Sequence, residues 1–481
     1  MKKGIHRIAA AAVLAASSAA ALADGPPPAP QDEVARLLAE GRREAALDFA
    51  RGALGTSGDP ALRHCYGWAL VEAGRAADAL PHLQAAANAF PRDARVMNNL
   101  GCALLGTGDS GGAAQCFRKA VGLDGAFAAP RNNLGVLLEK AGDRDGAEDS
   151  FREALDADAR HAQAHNNLGA LLYEDGRGAE AMRHFVEAAK AAPAYASPRI
   201  NMGALALDRG DDTEAEKFLR EAAAGPDARA EAHFNLALLG LRRGDMELAR
   251  TSLEKALALR PEDPDILNNL GVCHLLRRPG EYRKAEGYFQ RAVNARAGFA
   301  QGWDNLGLSL QFLAVQSGDD PRLLDRAEKA FRKEIELRPD AAFARYNLGT
   351  VLVARGKVEE AEEAFRAAIR LAPGHADAHF NLGYCLSMTT PGQKPDPDAE
   401  LLCYQQAVAA DPNFADAHRA LAIFWSTTEG RIDLEGALAE WKLYSSLTPT
   451  DPEAQKETRE AIDGIRKQQE AAKKAPRPAN R

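Results

Sequence analysis

The sequence predicts an all-α solenoid, a stack of helix pairs, and three observations support this prediction. First, small residues with similar neighbours recur every 34 residues, and the last four intervals are 36, 42, 34 and 39. Second, we find no alternating β-branched runs of the kind that predict strands. Third, 46% of the residues are apolar but only 6% are aromatic, which suits closely packed helices. The recurring small residues are Gly67, Gly101, Gly135, Gly169, Gly203, Ala237, Gly271, Gly307, Gly349, Gly383 and Ala422.

Residues 1–23 have the features of a cleavable export signal. Lys2, Lys3 and Arg7 precede an apolar run, and Ala21 and Ala23 are the small residues that a signal peptidase reads. The alternative is an uncleaved membrane anchor, but the run is shorter than the roughly 20 residues that cross a bilayer. We therefore expect an exported protein, periplasmic or secreted, cleaved after Ala23.

Cleavage also changes the net charge of the protein. It removes three basic residues and no acidic ones, so the formal charge moves from −8 to −11. Nucleic-acid binding depends on clustered Lys and Arg, which an acidic chain does not favour. We expect neutral or basic partners and no nucleic acid.

The remaining chain divides into five predicted segments. Residues 24–31 form a proline-rich linker, and 32–59 form a degenerate repeat that caps the array, with Ala45 and Phe49 where later repeats carry Ala and Phe. The other three are the tandem repeats (60–451), a C-terminal capping helix (452–470) and a basic disordered tail (471–481).

The repeat around Gly135 illustrates one unit. We expect a first helix, helix A, over 129–141 and a second, helix B, over 144–155, because Gly142 ends a helix without steric cost and Asp143 caps the next.

Helix packing explains the small residues of this repeat. Gly135 and Ala147 are predicted to lie where helices A and B meet, and a larger side chain there costs about 1–3 kcal/mol. Phe151 is predicted to fill the space between neighbouring repeats, so that stability comes from stacking.

Several features together resemble the tetratricopeptide repeat. They are the 34-residue period, Leu134-Gly135 in helix A, the residues Ala147, Phe151 and Ala154 in helix B, and the prolines that close several repeats. The resemblance covers about residues 32–451. It implies a right-handed superhelix of about 11–12 antiparallel helix pairs, with terminal capping helices and a concave groove lined by the A helices.

The wide intervals come from insertions between helices A and B, around 278–282, 314–324, 389–398 and 427–433. Equivalent turns of a stacked array line up along one edge. Insertions in solenoids often mark a functional face, although loops also tolerate insertions without one.

An asparagine stands two residues before the small residue in nine consecutive repeats, and we call these residues the ladder asparagines. They are Asn99, Asn133, Asn167, Asn201, Asn235, Asn269, Asn305, Asn347 and Asn381. Helix interiors slightly disfavour asparagine, so packing alone does not require it. An amide offers donors and an acceptor that match a peptide group.

The ladder is similar to the one in the repeat superhelix of O-GlcNAc transferases, where the implied role is peptide capture, but the chain has no room for their catalytic domain. With A helices about 10 Å apart, one repeat corresponds to roughly three residues of an extended peptide. The alternative is that the amides bond between adjacent helices and only stiffen the array. Asn98, Asn132, Asn166 and Asn268 extend the polar strip, and Phe234, Tyr346 and Phe380 add aromatic character.

No catalytic constellation emerges from the sequence, and we expect no enzyme, cofactor or metal. The pairs His161/His165 and His375/His379 have a spacing that suits metal ligands, but histidine recurs at one repeat position and packing explains it better. Two pairs of cysteines lie on the two helices of one repeat: Cys102 with Cys116, and Cys385 with Cys403. Each pair could form a disulfide or consist of two buried thiols.

The sequence therefore predicts an exported, non-enzymatic scaffold that binds a protein or an extended peptide in its concave groove. The alternative is a structural component of a cell-envelope or polysaccharide export assembly, peripherally associated with the envelope, that acts through the insertion-bearing edge.

Overall fold

The computed structural model describes residues 29–474, except 41, 56, 226–228, 278–279 and 389–395. Within these residues the chain forms 25 α-helices and no strand, which confirms the all-α prediction. The predicted signal, most of the linker and the end of the tail lie outside them. The chain divides into two compact units, unit 1 (Met1–Pro261) and unit 2 (Glu262–Arg481).

Unit 1 is a stack of helix pairs in which each odd-numbered helix packs against the next even-numbered one and then against the following pair. Its helices are α1 (Pro30–Ala39), α2 (Arg43–Leu54), α3 (Pro60–Glu72), α4 (Ala76–Ala89), α5 (Ala94–Gly106), α6 (Ser110–Leu123), α7 (Ala128–Lys140), α8 (Arg144–Ala157), α9 (Ala162–Glu174), α10 (Gly178–Ala191), α11 (Ala196–Arg209), α12 (Asp212–Ala224), α13 (Ala230–Arg243) and α14 (Met246–Leu259).

Unit 2 has the same plan and ends with a long helix that packs against the last pair. Its helices are α15 (Pro264–Leu275), α16 (Tyr282–Ala295), α17 (Ala300–Gln316), α18 (Pro321–Leu337), α19 (Ala342–Ala354), α20 (Val358–Leu371), α21 (Ala376–Ser387), α22 (Pro397–Ala410), α23 (Ala415–Thr427), α24 (Leu434–Leu447) and α25 (Pro452–Lys474).

The recurring glycine is required by the contact between paired helices. A β-carbon on Gly135 would lie 2.6 Å from Phe151 Cε1, closer than side-chain atoms approach. Phe151 is fully buried and shares a cluster with Leu168 and Leu171 of the next repeat. Both predictions for this repeat, the close helix contact and the packing between repeats, are confirmed.

The turn between the helices of a pair also forms as predicted. Gly142 has φ +84°, a left-handed conformation that glycine adopts without strain. The Asp143 carboxylate then accepts a hydrogen bond of 3.0 Å from the Gly146 backbone N–H and caps α8. The helices span 128–140 and 144–157, within two residues of the predicted bounds.

The alignment predicted for the first repeat is wrong. Phe49 is 40% exposed, whereas Leu47 and Ala50 form the buried face of α2. The helix α2 has 12 residues and α4 has 14, and the connection after α2 (55–59) is only one residue longer than that after α4 (90–93), so the residues just before the two helices, Arg42 and Arg75, are 33 apart and a strict 34-residue count does not apply.

The insertion predicted around 314–324 forms only a short turn. It occupies 317–320, and the other inserted residues lengthen α17 and α18 to 17 residues each, compared with 13 and 14 in α7 and α8. Leu313 and Leu324 are buried, because the inserted residues continue the apolar contact between the two helices.

Two further properties concern the whole described range. All six cysteines are free thiols, and all except the half-buried Cys116 are buried, so neither Cys102 with Cys116 nor Cys385 with Cys403 forms a disulfide. None of the helices in this range combines the length and the apolar character needed to span a membrane.

Candidate functional site

The first helix of each repeat presents one stripe of side chains, which we call the A-helix face. It consists of four residues in each first helix: those six, three and two positions before the recurring small residue, and the one directly after it. In α11, where the small residue is Gly203, these are Ser197, Ile200, Asn201 and Ala204. These positions are three or four apart, so they lie on one side of a helix. The ladder asparagines belong to this face.

In unit 1, ladder asparagines bond to the helix before them. Asn133 Nδ2 donates to Asn98 Oδ1 over 3.0 Å, and Asn167 Nδ2 donates to Asn132 Oδ1 over the same distance. Each acceptor is the residue just before the ladder asparagine of the preceding repeat. Asn201 Nδ2 donates in the same way to Asn166 Oδ1 over 3.0 Å.

The first step of the ladder uses a histidine. Asn99 Nδ2 lies 3.0 Å from His64 Nε2, and because an amide nitrogen only donates, the ring nitrogen accepts. Burial lowers the pKa of His64 to about 4, although the nearby Asp93 carboxylate opposes this change. The neutral ring therefore takes the acceptor role that asparagine has in later repeats.

The amides that join neighbouring helices are buried. The sequence left open whether the ladder amides bond between adjacent helices. Four of them do so: Asn133, Asn167 and Asn201 in unit 1 and Asn305 in unit 2. Asn305 Nδ2 donates to Asn268 Oδ1 over 2.8 Å. Peptide binding by the ladder asparagines stays a prediction.

Other ladder asparagines lie differently. Asn235 is buried, whereas Asn269, Asn347 and Asn381 are half-buried. Asn269 donates to its own helix at the Asp265 carbonyl (2.8 Å), and Asn381 does the same at the Asp377 carbonyl (2.9 Å). These three are more accessible to a ligand.

The A-helix face of α11 is closed. All four of its side chains are at most 1% exposed: Ser197, Ile200, Asn201 and Ala204. Small side chains and bonded amides occupy the space between this helix and its neighbours α9 and α13, so this surface offers no contact to a ligand without rearrangement.

The A-helix faces of α19 and α21 are open. Phe343 on α19 is 69% exposed and Tyr384 on α21 is 43% exposed, although aromatic side chains of this size are usually buried. Tyr346 and Phe380 are half-buried beside them. We call these four residues the aromatic stripe.

Rings at the start of the next helix join the stripe. The His375 ring, just before α21, lies 4.7 Å from the Tyr346 ring and 5.0 Å from the Phe343 ring, centroid to centroid. The Phe414 ring, just before α23, lies 5.2 Å from the Phe380 ring. The rings thus form two clusters on successive repeats, one around His375 and one around Phe380.

The sequence pattern pointed to only part of this surface. It indicated Tyr346 and Phe380 but not Phe343, His375 and Tyr384. Tyr384 stands directly after the glycine, where most other repeats carry a smaller side chain. Trp68 stands at the same position and is buried, so an aromatic residue there does not by itself signal an exposed ring.

Recurring histidines fasten the loop before their helix. His379 Nε2 donates to the Pro373 carbonyl over 2.9 Å, and His418 Nε2 donates to the Pro412 carbonyl over 3.0 Å. Trp303 Nε1 does the same to the Ala297 carbonyl (2.9 Å). This structural role explains their spacing, and no group of three His, Cys, Asp or Glu gathers as a metal site within the described ranges.

A pair of neighbouring carboxyl groups, buried Glu334 and half-buried Asp304, lies in α17 and α18. Glu334 is 2% exposed and stands where the equivalent helices carry alanine, for example Ala368. Burial and the Asp304 carboxylate raise the pKa of Glu334 to about 7, and burial also raises the pKa of Asp304. Arg338 bonds to Glu334 and partly offsets this change. Sequence analysis did not identify the pair.

The thiols lie in surroundings that disfavour reaction. Burial raises the pKa of Cys65 to about 11 and that of Cys385 to about 12, so both remain protonated at neutral pH.

Among the similar solved structures, one superposes well enough to show the same kind of fold. A protective antigen of uropathogenic Escherichia coli with an SLR fold superposes with a TM-score of 0.58 at 18% identity, covering 90% of this chain and 98% of that one. The APC/C hetero-tetramer of Cut9 and Hcn1 gives a TM-score of 0.43 at 13% identity, covering 90% and 96%. MamA gives 0.32 at 21% identity, covering 38% and 97%. A search of curated proteins finds no match.

The family model described as Tetratricopeptide repeat matches the sequence five times, at residues 67–129, 132–196, 234–301, 322–376 and 346–387. These matches together cover more than half of the chain. They follow the same helix pairs and glycine contacts that the structure contains. The chain therefore belongs to the tetratricopeptide repeat family.

Proposed function

We propose that the protein is an exported, non-enzymatic scaffold that binds an extended segment of a partner protein along the A-helix faces of α19 and α21. The observation that carries the proposal is the exposed aromatic stripe. Proteins built from these repeats typically bind proteins or peptides and generally act as scaffolds without catalysis. Exposed apolar patches on otherwise polar surfaces commonly mark interaction sites.

The accessible ladder asparagines add polar contacts to this surface. Asn347 and Asn381 lie beside the stripe and are half-buried, so peptide groups can reach them directly. An amide such as Asn167 would first have to break its buried bond, and an unsatisfied buried group costs about 1–3 kcal/mol. We therefore assign peptide contact to Asn347 and Asn381 before the paired asparagines of unit 1.

The export part of the proposal is supported by the sequence of residues 1–23, which has the features of a cleavable signal. Peripheral association with the cell envelope, in the periplasm or outside the cell, is the setting that we expect for such a scaffold.

The test is capture of envelope proteins on the purified protein that starts at Asp24. We expect the double variant Phe343→Ser, Tyr384→Ser to lose the proteins that the wild type captures, as identified by mass spectrometry. The matched control is Phe90→Ser, Leu259→Ser, which removes two exposed apolar side chains from unit 1. Circular dichroism checks that both variants fold.

The set of captured proteins distinguishes binding at the aromatic stripe from binding at the ladder asparagines of unit 1. Identical sets of captured proteins for the wild type and the stripe variant would refute binding at α19 and α21. A triple variant, Asn167→Ala, Asn201→Ala and Asn235→Ala, that retains its stability and loses the same proteins would instead assign capture to the unit 1 ladder.

A second candidate is a structural role in an envelope or polysaccharide export assembly, through the edge that carries the insertions. The observation that favours it is a group of exposed apolar side chains near the turns: Leu276, Phe312, Val315 and Ile432 are 42–67% exposed. The Tyr282 ring stacks on Phe312 at 5.0 Å and holds it in place.

This candidate predicts that Phe312→Ser with Val315→Ser, or deletion of 389–398, removes the protein from a large complex in solubilised envelopes. Size-exclusion chromatography with immunodetection measures the change. A complex of unchanged size in both variants would count against the edge.

A further inference from the structure

The chemistry of the open face indicates what kind of segment it binds, and this inference rests on the proposed function. Asp377 on α21 and Asp416 on α23 occupy the same repeat position, six residues before the small residue. Both are exposed, and the Asp377 side chain keeps 57% of its surface accessible. Two carboxylates therefore face solvent on consecutive A helices.

The basic groups near these carboxylates are neutral or already bonded to another carboxylate. His375 Nδ1 lies 3.9 Å from Asp377 Oδ2, but burial lowers the pKa of His375 and keeps the ring neutral at pH 7. Arg419, one turn after Asp416, donates to both oxygens of the Glu457 carboxylate over 2.5–3.0 Å. Its hydrogen bonds to Glu457 are the largest cause of its raised pKa, and the nearby Asp416 carboxylate is a smaller one.

An aromatic surface adjoins each carboxylate. The His375 ring, two residues before Asp377, contacts Phe343 and Tyr346, and the Phe414 ring, two residues before Asp416, contacts Phe380. A ring beside a carboxylate suits the arginine side chain, because a guanidinium stacks on an aromatic face and pairs with an oxygen anion.

The spacing of the helices sets the spacing of the ligand groups. Packed helices lie about 8–10 Å apart. A polyproline II segment has three residues per turn and rises about 3.1 Å per residue, so its side chains at i and i+3 point the same way about 9 Å apart. This matches two equivalent positions on neighbouring A helices.

We propose that the open face binds an extended, polyproline-like segment with arginine at two positions three residues apart. One guanidinium pairs with Asp377 and the other with Asp416. Apolar side chains between the arginines pack on Phe380 and Tyr384, and one on the α19 side of the first arginine packs on Phe343.

Fluorescence anisotropy with defined peptides tests this proposal. The probe is a fluorescein-labelled peptide of proline and leucine with arginine at every third position. We expect saturable binding to the full protein, and we expect Asp377→Asn with Asp416→Asn to raise the Kd at least about tenfold. The matched control is Asp145→Asn, which removes an exposed carboxylate from α8.

Two further peptides test charge and spacing separately. A peptide with glutamate in place of arginine is expected not to bind, and one with the same number of arginines at every second position is expected to bind several-fold more weakly. Binding of the glutamate peptide, or equal binding to wild type and the double aspartate variant, would overturn the proposal. So would the absence of any binding by the arginine peptide.

These results are separable from those of the capture experiment. If the stripe variant loses its envelope partners but the arginine peptide does not bind, the proposed function stands and the arginine chemistry is wrong. If the stripe variant captures the same proteins as the wild type, the proposed function fails whatever the peptide does.

Discussion

The A-helix face is closed on α11 in unit 1 and open on α19 and α21 in unit 2, although all three helices belong to the same repeat pattern. Ala204 and Tyr384 stand at the same position, directly after the glycine, yet Ala204 is fully buried and Tyr384 is 43% exposed. On α11, small side chains and a paired amide fill the space between neighbouring A helices, whereas on α19 and α21 the bulky rings remain accessible.

This comparison shows that one repeat supports two kinds of surface. The contact between helices A and B is the same in both units: a β-carbon on Gly135 would lie 2.6 Å from the Phe151 ring, and one on Gly349 would lie 2.5 Å from the Phe365 ring. The difference lies only in residues that face the neighbouring A helix. A solenoid can therefore change its binding surface without changing its core.

Exchanging side chains at the matched position should have the largest effect. Ala204→Tyr forces a ring into a closed face, and we expect it to destabilise unit 1 by about 3 kcal/mol or more. Tyr384→Ala removes an exposed ring, and we expect a change within about 0.5 kcal/mol. Urea unfolding measures both. Similar losses for the two variants would refute the distinction between closed and open faces.

Acid should weaken unit 1 through His64. Its pKa is lowered to about 4, so its contribution is present above about pH 6.5 and is lost as the pH falls toward 4. One pKa unit corresponds to about 1.4 kcal/mol, so we expect a loss on the order of 2 kcal/mol. Hydrogen exchange of α3 and α5 amides between pH 7 and 4.5, corrected for intrinsic exchange, measures it locally.

The matched variant for this prediction is His64→Asn, which supplies the acceptor used in later repeats. We expect it to remove most of the acid sensitivity of α3 and α5. Unchanged acid sensitivity in this variant would show that another group is responsible.

Glu334 should give unit 2 the opposite response. Its pKa is raised to about 7, so the folded chain binds a proton that the unfolded chain, with a carboxyl pKa near 4.5, does not bind. Stability then rises as the pH falls from about 8 toward 5, by an amount on the order of 2 kcal/mol.

Hydrogen exchange of α17 and α18 amides measures the response of unit 2. Glu334→Gln keeps the shape of the side chain without titrating, so we expect it to flatten the pH dependence and to stabilise these helices at pH 8. Equal pH slopes in wild type and variant would contradict the role of Glu334.

Removing a ladder asparagine should again have different effects in the two units, and the smaller one in unit 2. Asn167→Ala leaves the buried Asn132 carbonyl without its donor, and we expect a cost of about 1–3 kcal/mol. Asn347→Ala removes a half-buried amide and should cost about 0.5 kcal/mol or less. Thermal unfolding compares the two, and a larger loss for Asn347→Ala would reverse the assignment.

Much of the fold was predictable because its signals are local. Gly142 and Asp143 specify a turn through backbone conformation and capping, and both act within four residues. The same holds for Gly135 and Phe151, whose types and spacing already imply a close helix contact.

The candidate site was less predictable because asparagine suits two roles. An amide that bonds to another amide and one that bonds to a peptide have the same sequence signature. Which role Asn167 has depends on Asn132, 35 residues earlier, and on how closely their two helices approach. The 314–324 insertion illustrates the same limit, because whether it forms a loop or longer helices depends on the packing of Leu313 and Leu324.

The sequence by itself determined the repeat, its helix pairs, its turns and the family, because each rests on residue types at short, regular spacings. Only the tertiary structure decided which A-helix faces close and which stay open. That outcome depends on side-chain volumes contributed by two repeats at once, such as Ala204 between its neighbours or Tyr346 against His375. Tertiary contacts also raise the pKa of Glu334, within the pair α17 and α18, and lower that of His64, between α3 and the start of α5.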